Sequence, residues 1–132
     1  MVSRSTQDEI ESSLGQVPSW IAELSESAAD HSWALVRDLQ FDDTELSARE
    51  KALVGLGAAS AIQCPYCTHF QGTKAELEGV TDAERTEVVN LAASIRYFST
   101  VFHGAEVDHD EFVVETAEIA EHVEAEREAP GR

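Results

Sequence analysis

Three short runs constrain the fold of this chain more than anything else in it: Thr6-Gln7-Asp8-Glu9, Ser47-Ala48-Arg49-Glu50 and Thr81-Asp82-Ala83-Glu84. Each places Glu three residues after a Thr or Ser, just ahead of a helix-periodic segment. The hydroxyl accepts a free N–H of the first helical turn, and the Glu carboxylate reaches back to the capping residue's own N–H. With three such starts in 132 residues, no Asn-Gly turn pair and no long apolar/polar alternation, little room is left for a sheet. The expectation is an all-α bundle of about six helices, forming a single domain over 1–132.

The helices can be placed in order. The first box opens a short helix that stops near Gly15, and Pro18 suits the first turn of the next, with Trp20, Ile21 and Leu24 apolar. A third runs from about Ser27 to Gln40, with Trp33, Val36 and Leu39 at helical spacing, and residues 41–46 form a polar connection. The second box opens a helix to Gln63 that is rich in Gly and Ala (Gly55, Gly57, Ala58, Ala59, Ala61). Each glycine there costs about 1 kcal/mol of helix stability relative to alanine, so close approach of a neighbouring backbone is expected in return. Another helix follows from Thr68 to about Glu78-Gly79. The third box opens a long helix with Val88, Leu91, Ala92, Ile95 and Phe102 on one stripe, terminated by Gly104 after His103. Asp108 or Asp110 caps the last helix, and the charged tail over 124–132 should fray.

Charge narrows the partners. With 26 acidic against 9 basic side chains the formal net charge is −17, and only Lys51 and Lys74 are lysines. Such a surface repels phosphate backbones and anionic lipid, which argues against nucleic-acid or membrane partners. The acids are spread along the chain, as in halophilic proteins adapted to high salt; a patch recruiting a basic partner is the rival reading. The longest apolar run, Ala52 to Ile62, is far short of the roughly 20 residues of a membrane span. The first residues carry no apolar secretion segment, so a soluble, cytoplasmic protein is expected.

Chemistry concentrates at Cys64-Pro65-Tyr66-Cys67, which holds the only two cysteines. Residues three apart at a helix start lie on one face, so the sulfurs can pair. Cys64 falls at the N-cap and Pro65 at the first helical position, where a missing N–H costs nothing. Free N–H groups and the positive end of the helix dipole stabilise a thiolate there. A redox dithiol is therefore the expected function. Two rivals are inert core cysteines and a zinc site, the latter short of the four N/S ligands that a closed site needs even with His69 or His103 added. No metal and no cofactor is expected.

Leu46-Ser47-Ala48-Arg49-Glu50-Lys51-Ala52-Leu53, the Ala-rich helix and Cys64-Pro65-Tyr66-Cys67 at the next helix start together resemble the alkylhydroperoxidase D-like (AhpD-like) branch of the carboxymuconolactone decarboxylase family, over about residues 30 to 105. The resemblance implies an all-helical homo-oligomer, a trimer or hexamer, working as a thiol-dependent peroxidase through a CxxC dithiol/disulfide cycle. It implies a hydroperoxide or disulfide substrate, and a thiol reductant protein or lipoyl-bearing partner. It also implies Cys67 as the peroxidatic cysteine and Cys64 as the one that closes the disulfide. Helix-end reasoning alone favours Cys64, as the more exposed sulfur. A disulfide reductase and an oligomeric redox sensor are the alternatives.

Two positions depart from the family's proton relay. Gln71 stands where a histidine belongs four residues after the second cysteine, and Ala52 where a glutamate belongs twelve before the first. His69 and Glu50 are each two residues off, about 200° around a helix. Candidate polar groups for the site are therefore Gln71, His69, His103, Tyr66 and Tyr97, with His103 favoured as a cation at a helix C-terminus. Trp20, Trp33, Phe98 and Phe102 read as core or subunit contacts.

Overall fold

The computed structural model describes residues 1–131, and among them every regular element is helical. In order these are α1 (Arg4–Leu14), a 3₁₀ turn (Ser19–Glu23), α2 (Glu26–Ala34) running into a π-helical segment (Leu35–Phe41), α3 (Ala48–Ala61), α4 (Pro65–Leu77), α5 (Asp82–Gly104) and α6 (His109–Glu128). The all-α expectation holds.

The helix starts show which capping signals operate. The Ser47 and Thr81 boxes form as expected: Glu50 N–H donates to Ser47 Oγ at 3.1 Å, and Glu84 N–H to Thr81 Oγ1 at 3.1 Å. The first box does not, because α1 begins one turn earlier. Ser3 is its N-cap, accepting from the Thr6 N–H at 3.3 Å, so Thr6 already lies inside the helix. Gly15 stops α1 with φ +80°, and Asp108 caps α6 by accepting from the Glu111 N–H at 2.8 Å. Gly104 is not the terminator of α5; it is the last helical residue, and Glu106 takes the left-handed conformation (φ +53°). The Val107 N–H then closes the end on the Phe102 carbonyl. α6 continues to Glu128, into the charged tail over 124–132, of which Arg132 lies outside the described residues.

The chain divides by contact into two compact units, Met1–Ala92 and Ala93–Arg132. In the first, α1, the 3₁₀ turn and α2 bury Val2, Ile10, Ile21, Ala29 and Trp33, with Val17, Leu24 and Val36 packed against them. Further along, Ala52, Leu56 and Ala59 of α3 and Ala75 of α4 are buried. The glycines of α3 admit side chains rather than a neighbouring backbone. A Cβ at Gly55 would meet the Gln71 amide carbon at 2.7 Å, and one at Gly57 would touch Val88 at 3.6 Å. In the second unit, Phe98 stacks on Phe102 (centroids 5.8 Å) and Phe102 meets Phe112 (5.2 Å), yet every residue over 95–128 is exposed. Among the described residues no helix is long and apolar enough to cross a membrane.

Candidate functional site

The site begins where α3 ends. Gln63 adopts the left-handed conformation (φ +60°), unusual for a residue with a Cβ. The turn this creates lets the Cys64 N–H close back on the Ala59 carbonyl at 3.2 Å, the outer bond of a Schellman helix stop. Cys64 is at the same time the N-cap of α4: its Sγ accepts from the Cys67 N–H at 3.1 Å, and Pro65 fills the first helical position. One residue thus ends a helix with its main chain and starts the next with its sulfur. Cys64 and Cys67 are joined as a disulfide with Cα atoms 5.2 Å apart, inside the ordinary range for such a bond.

Exposure reverses the helix-end expectation, because Cys64 is half-buried and Cys67 is exposed. The reason is the turn: its main chain folds Cys64 back against α3, while Cys67 stands one turn further along. Cys67 opens on a groove of about 360 Å³ between α3, α4 and the π-helical segment. The walls carry Leu39, Leu46, Val54 and Ile62; Gln71 and Gln40 lie deeper, with Lys51 and Lys74.

Gln71 stands four residues, one turn, beyond Cys67. Its Nε2 donates to Gln40 Oε1 at 2.9 Å, while its own Oε1 is buried against Gly55 with no hydrogen-bond partner. Both lysines of the chain are buried here, Lys74 at 5% and Lys51 at 9% exposure. Lys74 donates to the Gln40 carbonyl and Lys51 to the Asp42 carbonyl, both at the end of the π-helical segment. Lys74 also lies over the Phe41 ring, 5.4 Å from its centroid. Burial pushes the Lys74 ammonium down from its ordinary value; nearby Glu78 opposes that shift and Lys51 adds to it.

Within the first unit, Tyr66 and His69 are not gathered with these. Tyr66 projects outward at 85% exposure and His69 is exposed, as 200° of helical rotation requires. Tyr97 and His103 belong to the second unit and are exposed, the Tyr97 ring set edge-on to Phe98 at 5.3 Å. Ala52 is fully buried, and Glu50 is exposed and engaged in the Ser47 capping box. Among the described residues no group of three or more His, Cys, Asp or Glu side chains could hold a metal. Sequence reasoning missed Gln40, Lys51 and Lys74. The scarcity of lysine in so acidic a chain was the one signal that could have drawn attention to the pair.

Residues 22–110 match the sequence model of the carboxymuconolactone decarboxylase family. A protein of Paracoccus denitrificans described as uncharacterized protein 4 in cox locus is 27% identical over 77 residues, 58% of this chain and 69% of that protein. The crystal structure of the alkylhydroperoxidase AhpD core from Rhodospirillum rubrum superposes with a TM-score of 0.72 at 18% identity, covering 84% of this chain and 85% of that one. At that identity the likeness establishes the fold.

Proposed function

The chain belongs to the carboxymuconolactone decarboxylase family, and from that premise we propose that it is an AhpD-like thiol peroxidase, reducing hydroperoxides through Cys67 and Cys64. The observation that carries the reading is the bonded cysteine pair at the start of α4, with the exposed Cys67 facing an apolar groove.

In the reduced protein a Cys67 thiolate attacks the outer oxygen of the O–O bond. The alkoxide leaves and takes a proton to become an alcohol, and Cys67 becomes a sulfenic acid. The Cys64 thiol attacks that sulfur, water departs, and the disulfide closes. An external thiol reductant, a small protein or a lipoyl-bearing partner, then returns both electrons by exchange. The Cys67 N–H and the first turn of α4 lower the cost of negative charge on Cys64 as it attacks or leaves.

Gln71 cannot titrate near neutrality. General acid–base help is commonly worth about 10² to 10⁴-fold, so slow peroxide turnover is expected. That feature favours a second reading, a disulfide reductase, since thiol exchange needs only the dithiol. Turnover of an organic hydroperoxide with a dithiol reductant, lost in Cys64→Ser and in Cys67→Ser, would support the peroxidase. Turnover of a small disulfide without peroxide consumption would replace it with the reductase.

The proposal includes a homo-oligomer. Over 95–128 the helices bury no residue, and Ile95, Phe98, Val113 and Ile119 present apolar surface that a second copy would cover.

A further inference from the structure

The groove beside Cys67 has two cations among its mostly apolar lining. In a chain of net charge −17 the only two lysines are both more than nine-tenths buried, and both line this one groove. Among the described residues neither forms an ion pair. Each has one hydrogen bond, to the Gln40 or Asp42 carbonyl. An ammonium has three N–H donors, so each side chain can make further hydrogen bonds, although Lys74 also lies over the Phe41 ring. Capping the last carbonyls of a helix explains one bond per lysine. It does not explain why two neighbouring cations are enclosed together with no ion pair, since burying charge is expensive. At Lys74, Glu78 favours the charged form while burial and the neighbouring Lys51 disfavour it.

We propose that this groove binds a small amphipathic carboxylate. Its hydrocarbon lies against Leu39, Leu46, Val54 and Ile62, and its carboxylate meets Lys51 and Lys74. A volume of about 360 Å³ is at the small end of the ~300–1,000 Å³ of ligand sites, suited to a short chain. Where turnover is concerned the inference rests on the peroxidase reading and narrows its substrate to a hydroperoxide bearing a carboxylate. Binding itself does not depend on that reading.

The test titrates the oxidised full-length protein calorimetrically with octanoate, octanol and acetate, so no redox turnover enters the signal. Octanoate is expected to bind at least about tenfold more tightly than either, the size of one charge-assisted hydrogen bond. Lys51→Gln and Lys74→Gln keep an amide donor for the carbonyl and remove the charge. Each should lower octanoate affinity about tenfold and leave octanol binding unchanged. Equal affinity for octanoate and octanol, or acetate binding as well as octanoate, overturns the proposal; so does an octanoate preference that survives both substitutions. If a variant fails to fold, the three-ligand comparison on the unaltered protein still decides. A protein that prefers octanoate yet consumes no hydroperoxide would lose the peroxidase reading and keep the site.

Discussion

At the scale of single residues, Gln71 and Gly55 are one device. The amide lies where a Cβ on residue 55 would be, so Gly55→Ala must displace it. Overpacking of this kind costs about 1–3 kcal/mol, read as a lower urea midpoint. The same change should alter the rate at which reduced Cys67 is alkylated, because the residue one turn away has moved. Gln71→His would restore a titratable group at that place. Hydroperoxide turnover should rise about tenfold or more and acquire a pH limb near about 6.5, the ordinary histidine value. A flat, unchanged profile would mean that proton transfer is not what limits the reaction. Gln63 offers a simpler measurement. Its left-handed backbone suits glycine, so Gln63→Gly should stabilise the protein by about 0.5–1 kcal/mol in denaturant titration. The cysteine motif and the absence of histidine at 71 were legible in the sequence. The partnering of Gln71 with Gln40 was not, since it joins residues 31 apart and depends on how the π-helical segment meets α4.

At the scale of helices, capping signals located most starts, and the exceptions have physical causes. Thr6-Gln7-Asp8-Glu9 failed because Ser3, one turn upstream, caps α1 instead. The stretch after Ala34 follows the periodicity of a helix but is wound wider, with the Asp42 N–H bonded five residues back to Arg37. Side-chain spacing barely distinguishes the two windings. Acid sensitivity also belongs at this scale. Glu84 is held below the ordinary carboxylate range, chiefly by its hydrogen bond from Arg49 and also by the Thr81 N–H. Glu50 is lowered in the same direction, first by the Ser47 N–H. A carboxylate depressed on folding contributes stability that is complete above its unfolded value, about 4.3, and is lost as pH falls through its folded one. Glu84→Gln should therefore lower stability near neutrality and flatten its decline below pH about 4, followed by circular dichroism. An equally steep acid limb in the variant would remove Glu84 as a contributor.

For the whole molecule, charge and uncovered apolar surface set the expectations. Like charges at −17 repel across the surface, and at molar salt the screening length falls to about 3 Å. The melting temperature should rise steeply from dilute buffer to molar potassium chloride; insensitivity to salt would count against halophilic adaptation. Light scattering should give a multiple of the 14.4 kDa chain. Phe98→Glu should shift it toward the single-chain mass if the exposed face of α5 is the contact. Composition and periodicity made the helical architecture readable, but a stripe that waits for another copy has the same sequence pattern as one buried within its own chain.

In the disulfide state Cys64 is tied to two helices at once, closing the end of α3 and capping the start of α4. Peptide hydrogens fasten it from behind and from ahead, and the partner sulfur is already within bonding reach. On the proposed cycle, opening and closing that bond is expected to be a local exchange of atoms between two fixed helix ends.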